Sequence, residues 1–314
     1  MMSRRELIAL GTSSQVPTRE RSQNAYLLRW DGIGILFDPG EGTQRQLTLS
    51  GVSAGCIKAI CITHFHGDHC LGLAGILQRL SLEHCTHPVH LFFPEDGLEY
   101  LERLLNASIC QPKTELILHP VESTSRTMLE VCRTDAYVLK AHALDHSVST
   151  IGFRIEEPDG RRFVPEKLEM AGVQGPRVGE LQRTGWIRSN GRVVRIEDVT
   201  VPRSGNVFAF VMDTRPCSGA VSLATDADLL VMEATYAAEH KDLAELYSHS
   251  TAADAAQTAR DAGARRLAMT HFSQRYGNTQ QHQFDAQAIF LAVVALNDLD
   301  RLDIPRRLVS AELF

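Results

Sequence analysis

Apolar and polar positions alternate in short runs through the first part of the chain. "LIAL" at 7–10, "AYLLRW" at 25–30 and "IGILFD" at 33–38 predict strands, with Asp31-Gly32 as a hairpin turn between the last two. "GTQRQLTLSG" predicts a short helix closed by Gly51, and the β-branched run "IKAICIT" a buried strand. The spacing then turns helical in "LGLAGILQRLSLEH". "VHLFFP" predicts a strand, "GLEYLERLLNAS" a helix and "AYVLKAHAL" a strand. The second half repeats the theme. "VFAFVMD", "DLLVMEA" and "RRLAMTHFS" predict strands. "STAADAAQTARDAG" predicts an Ala-rich helix capped by Ser250 and stopped at Gly263. The stretch after residue 280 predicts a terminal helix and strand. Strands alternating with helices in both halves imply a layered α/β domain, and no repeat of 20–50 residues interrupts it.

One segment breaks the pattern. Residues 158–195 are rich in Gly, Pro and Arg. Between Arg161 and Arg195 there are eight basic and three acidic residues, a net +5 in a chain of formal net charge −6. This predicts a single domain over 1–314 carrying an inserted flexible arm at 158–195 with its own electrostatic task.

The 314 residues suffice for a sizeable core, and 44% apolar with 22% charged residues is ordinary for a globular protein. The negative overall charge argues against a uniformly basic nucleic-acid binder, though not against a local basic patch. Seven cysteines, an odd number without a C-x-x-C spacing, imply a reducing compartment. The apolar run near the N-terminus is too short for a secretory signal, and no run approaches a membrane span, so a cytoplasmic location is expected.

The candidate chemistry sits in "CITHFHGDHCLGL", residues 61–73. His64 and His66 lie two apart at a strand end and point to one side in extended backbone. Gly67 permits a tight turn, and Asp68 and His69 fall where the next helix begins. One loop thus offers two ligand pairs aimed at different points, a geometry suited to two metals. Imidazoles with a carboxylate are the donor set of zinc or manganese hydrolase sites. Six residues cannot saturate two ions, so further ligands are expected on other strand ends. His146 (with His142 as a rival), Asp213 and His271 fit that placement.

"THFHGDH" is the motif of the metallo-β-lactamase superfamily, and the chain as a whole resembles the short-form tRNase Z family, endonucleases that trim the 3′ end of precursor tRNA. The resemblance is carried by "LGTSSQVPTRERSQNAYLL", "FDPGEGTQRQL", "DHSVSTIGFRIEEPDG", "FVMDTRPC" and the long run from "EATYAAEH" to "THFSQRY". It implies an αββα sandwich, two mixed sheets flanked by helices, and two zinc ions per subunit, with manganese as the other ion. The family pattern gives His64, His66 and His146 to one ion and Asp68, His69 and His271 to the other, with Asp213 bridging. Its spacing of six residues to the Gly of "GFRI" selects His146, because Gly152 follows it by six. Asp68 is expected to serve also as a proton acceptor, and the resemblance implies that Glu233 with His249 form the proton-donating pair near the leaving group.

Arg275 follows a proposed ligand and is a candidate phosphate contact. The family carries a tRNA-gripping exosite between the third-histidine motif and the bridging aspartate. Its Gly-Pro turn is matched by Gly175-Pro176, followed by Arg177, and it implies precursor tRNA as substrate and a homodimer in which one arm serves the other subunit's site. Cys70 and Cys217 lie near these motifs without an adjacent base and are read as bystanders. Two other functions fit the scaffold: a small-molecule phosphodiesterase or arylsulfatase-like esterase, and a non-catalytic RNA-binding protein. The basic arm argues against the first, and the full ligand set against the second.

Overall fold

Side chains alternate faces along a strand, so a strand apolar at every position must be covered on both sides. The central strands here are of that kind. The computed structural model describes residues 5–109 and 113–307, which divide into two units: 5–156 with 207–305, and 157–206 with 306–307.

The first unit opens with β1 (Glu6–Gly11), β2 (Ala25–Trp30), β3 (Ile33–Phe37), β4 (Ile57–Cys61), β5 (Val89–Pro94) and β6 (Leu116–Val121), then β7 (Leu129–Arg133), β8 (Val138–Ala143) and β9 (Ile151–Glu156). Strands β10 (Gly160–Phe163), β11 (Trp186–Ser189), β12 (Arg192–Arg195) and β13 (Thr200–Arg203) belong to the second unit. The chain re-enters the first with β14 (Val207–Val211), β15 (Leu229–Glu233), β16 (Leu267–Thr270), β17 (Val293–Ala295) and β18 (Arg301–Asp303). Two seven-stranded mixed sheets result, in the orders β18-β1-β2-β3-β4-β5-β6 and β17-β16-β15-β14-β9-β8-β7. Strands β3 to β6 run parallel, as do β14 to β17.

Tyr26, Trp30 and Phe37 of one sheet share a core with Phe153, Phe208 and Phe210 of the other, and the Phe37 and Phe210 rings stack at 4.6 Å. The alternate positions Leu27, Leu36 and Ile60 pack on Leu47, Ile76 and Leu80 of the helices Thr43–Leu49 and Leu73–Leu82. On the far side Val211, Leu230 and Met232 meet Leu223, Ala255 and Ala259 of the helices Ser218–Ala224 and Ala252–Asp261. The layers are therefore helix, sheet, sheet, helix. Asp31 and Gly32 take positive φ at the β2–β3 turn, as the expected tight hairpin requires.

Several local expectations need correction. The cap of the Ala252–Asp261 helix is Thr251, whose Oγ1 accepts from the Asp254 amide; the Ser250 hydroxyl instead donates to the Thr214 carbonyl. The tail contributes a helix, Gln280–Gln287, and two strands rather than one. Cys110 lies outside the described residues; the other six cysteines are free thiols.

The inserted segment carries regular structure over residues 157–206, wider than 158–195, because β13 returns to pair with β10. Val173, Leu181, Ile187, Val194 and Val199 form a small core of its own. Gly175, at φ 57°, turns the chain so that Pro176 takes the first position of the helix Pro176–Thr184. Arg177 donates to the Arg188 carbonyl, fastening that helix to the β11–β12 hairpin, whereas Arg162, Arg183, Arg192 and Arg195 are exposed. Among the described residues no helix is long and apolar enough to cross a membrane.

Candidate active site

Strands β4, β14, β15 and β16 end on one edge, and the loops that leave them carry the polar residues. Open α/β sheets assemble sites at such carboxyl ends. His64, His66, Asp68 and His69 follow β4, with Asp68 and His69 in the one-turn helix Gly67–Cys70. His146 lies in the loop after β8, Asp213 two residues beyond β14, and His271 directly after β16. Gly40, in the loop after β3, lets this loop seat: a Cβ there would lie 2.2 Å from the Asp68 carbonyl oxygen. Asp38, Asp213, Ser248 and His271 all take positive φ, a conformation costly for non-glycine residues and enriched at functional sites.

The side chains converge. The Asp213 carboxylate lies 3.6 Å from His64 Nε2 and 3.7 Å from His146 Nε2 through Oδ2, and 3.3 Å from His69 Nε2 and 3.2 Å from His271 Nε2 through Oδ1. His66 Nδ1 is 2.9 Å from His64 Nε2, and Asp68 Oδ2 is 3.3 Å from His271 Nε2. Two donor groups can be drawn, His64–His66–His146–Asp213 and Asp68–His69–His271, each with ligand atoms within 4.8 Å of one another. His249 joins Asp213 and His271 in a third such group. His142, the rival of His146, lies elsewhere, its Nδ1 against the backbone at Ala143 and close to Gly219.

The hydrogen bonds fix the ring tautomers. Thr63 Oγ1 donates to Asp38 Oδ2 (2.8 Å), so its oxygen accepts from His64 Nδ1–H at 3.0 Å. Thr235 Oγ1 donates to Glu233 Oε2 (2.6 Å) and accepts from His271 Nδ1–H at 2.9 Å. His69 Nδ1–H donates to Asp38 Oδ2 at 2.9 Å, and His146 Nδ1–H to the Ser248 carbonyl at 2.8 Å. Four rings thus spend Nδ1–H on protein acceptors and aim a bare Nε2 inward, the arrangement by which outer partners orient metal-bound imidazoles. Asp213 Oδ1 is buried without a hydrogen-bond donor among the described residues. Lone pairs facing lone pairs around an orphaned carboxylate oxygen fit a cation.

The electrostatics show the same pull toward positive charge, met by a proton or a cation. Burial opposes charge on His69, but Asp213, Asp68 and Asp38 outweigh it and lift its pKa well above the ordinary value. Burial and the neighbouring His69 push His64 well down. Burial alone would raise Asp68 and Asp213, yet the surrounding imidazoles hold both below the usual carboxylate range. His249 Nδ1–H donates to Glu233 Oε1 at 2.9 Å. Burial opposes its charge, and Glu233 and Asp213 win, lifting its pKa to about 9.

A cavity of about 490 Å³ opens over the cluster, lined in part by Asp68, His146, Asp213, His249 and Arg275, with the Arg275 guanidinium 5.6 Å from the Tyr236 ring. Gly175, Pro176 and Arg177 belong to the inserted unit described above. Cys70 is inert: burial raises its pKa to about 12.

A family model described as the metallo-beta-lactamase superfamily matches residues 18–161. Ribonuclease Z of Nocardia farcinica (strain IFM 10152) is 48% identical over 308 residues, covering 98% of this chain and 100% of that protein. The chain belongs to the ribonuclease Z family. The ribonuclease Z of Chlamydia caviae is 43% identical over 305 residues, covering 97% of this chain and 98% of its own. Among solved structures, human tRNase Z, short form, superposes with a TM-score of 0.68 at 28% identity, covering 96% of this chain and 99% of that one. In this ribonuclease Z family fold the donor set supports divalent-metal binding.

Sequence reasoning missed Asp38 and Thr235. Asp38 stood in the quoted "FDPGEG" block but carried no role. Its signal was an aspartate directly after an apolar strand, the same signal that marked Asp213.

Proposed function

We propose that the chain is a divalent-metal endoribonuclease that removes 3′ trailers from precursor tRNA and leaves a 3′-hydroxyl on the tRNA. The observation that carries this reading is full-length likeness to ribonuclease Z proteins coupled to the converging histidines and aspartates. In this reading His64, His66, His146 and Asp213 would hold one zinc ion, and Asp68, His69 and His271, together with Asp213, a second. Bound divalent ions supply Lewis acidity toward the phosphate and make a water acidic enough to attack it.

The protein's own groups do the rest. Asp68 accepts the proton of the attacking water as the new P–O bond forms. The P–O3′ bond breaks, and His249 gives its Nδ1-opposed proton, at Nε2, to the departing 3′-oxygen. Glu233 holds the His249 ring and keeps it charged near neutrality. Arg275 contacts a phosphate at the cavity wall. The inserted unit, with Gly175, Pro176 and Arg177 at its turn, grips the tRNA backbone by charge and shape, the contact family on which much RNA affinity rests. The working form is a cytoplasmic homodimer.

The test is incubation of purified protein with a 3′-extended precursor tRNA and with bis(p-nitrophenyl) phosphate, alongside elemental analysis. Expected are cleavage of both, two ions per chain, and loss of both activities on chelation with recovery on adding zinc or manganese. One ion or none in active protein would refute the dinuclear site; ester hydrolysis without precursor cleavage would favour a small-molecule esterase.

A further inference from the structure

A second cleft of about 450 Å³ adjoins the first, sharing His66 as common wall. It is built differently. Phe65, which stands between two proposed ligands, forms its floor, with the Tyr100 ring 6.0 Å away and inclined by 31°. Gly97 makes room for that floor: a Cβ there would lie 2.1 Å from the Phe65 ring. Tyr100 is 49% and Val148 42% exposed, so apolar surface stands open beside the cluster. The cleft's charged wall is Asp96, a carboxylate that repels phosphate and can accept from an exocyclic amine; its Oδ1 also faces the Ser123 hydroxyl at 3.3 Å. Among the residues lining this cleft there is no lysine or arginine.

We propose that this cleft is a nucleobase subsite, stacking the first base of the trailer on the exposed Tyr100 ring beside Phe65; the assignment rests on the ribonuclease reading above. Cleavage that leaves a 3′-hydroxyl makes the 3′-oxygen of the retained tRNA the leaving atom. Its proton donor, His249, lines the first cavity together with Arg275, so the retained nucleotide lies there. The scissile phosphate stays with the trailer, and the trailer's first nucleoside departs from the phosphate in another direction. Across His66 that direction meets an aromatic, anionic cleft suited to a flat, neutral base bearing amines. Base–aromatic stacking is sequence-tolerant, which suits trailers of varied sequence.

The experiment is a cycle of enzyme and substrate perturbations, read as kcat/KM on precursor tRNA. Substrates carry an abasic residue at the first trailer position, at the last retained position, or nowhere. Wild type should lose about tenfold on the abasic trailer, the size of one stacking contact. Tyr100→Ala should lose about tenfold on the natural trailer and nothing further on the abasic one. Tyr100→Phe should restore the wild-type pattern, and Tyr100→Leu should not, which separates stacking from mere bulk. Additive losses in the cycle, wild-type indifference to the trailer base, or a loss confined to the abasic retained position would each overturn the subsite alone. Failure to cut any precursor would overturn the parent reading and the subsite with it.

Discussion

Replacing Asp38 by Asn tests the idea that a buried carboxylate sets the chemistry of His69. Asp38 is fully buried and accepts four hydrogen bonds, from the Thr63 amide (2.7 Å), the Thr63 hydroxyl (2.8 Å), His69 Nδ1–H (2.9 Å) and, at the longest distance, the Asn24 side-chain amide (3.5 Å). An asparagine of the same shape has one acceptor oxygen. The Thr63 amide is a fixed donor and claims that oxygen, which leaves the NH₂ group facing Thr63 Oγ1 and His69 Nδ1. The hydroxyl can rotate; the imidazole adjusts only by moving its proton to Nε2, the atom aimed at Asp213. A ring protonated there is no ligand. Loss of such an outer partner costs about 10- to 100-fold in metal affinity, or about 1.4–2.7 kcal/mol. Competition titration against a chromophoric chelator measures it directly, and far-UV circular dichroism controls for folding. A folded Asp38→Asn protein that binds zinc as tightly as wild type would refute the reasoning.

Other outcomes follow from the same geometry. His249→Ala should lower kcat on precursor tRNA by about 10²- to 10⁴-fold with metal content intact; lost metal would instead make His249 a ligand. Because the His249 pKa is raised from 6.5 to about 9, its charged form contributes stability fully below pH 6.5 and loses it as pH rises through 9. The wild-type rate should fall in that same upper window, and Glu233→Gln should move the fall to lower pH. Glu156 and Val207 are directly paired across β9 and β14, so residues 158–205 can be excised and the ends closed with Asn-Gly as a two-residue turn. Ester hydrolysis should survive in that variant while precursor cleavage falls sharply; undiminished tRNA processing would sink the role of the inserted unit. Gly40→Ala drives a methyl into the Asp68 carbonyl and should cost on the order of 1–3 kcal/mol, seen as a lower melting temperature with weakened metal binding.

Most of the candidate site was legible because its proposed ligands come from places where local sequence is emphatic. Four of the seven lie in one stretch, and Asp213 and His271 each come just after a fully buried strand. Asp38 was opaque because its partners, Thr63 and His69, are 25 and 31 residues away, and a lone aspartate reads as a turn residue. Edge strands were opaque too. β6 and β7 are each covered on only part of one face, so their residues are half-exposed and the alternation fades. In the inserted unit the core residues Val173, Leu181, Ile187, Val194 and Val199 are isolated among polar neighbours. Composition therefore marked a basic loop where the chain builds helices and a hairpin. Ser250 and Thr251 are chemically equivalent as caps, and only the reach of Ser250 to the Thr214 carbonyl decides between them.

The left-handed backbone at Asp38, Asp213, Ser248 and His271 means that the rim of the sheets is held under tension, on the order of 1–3 kcal/mol at each residue. A divalent ion clamping these loops would offset that tension, so the metal would belong to the thermodynamics of folding as much as to turnover, and the melting temperature should climb with free zinc. Ser248 isolates the effect, since its part is played by a backbone carbonyl. Ser248→Gly should relax the spring, making the metal-free protein sturdier and narrowing the gap between its melting point and that of the loaded form.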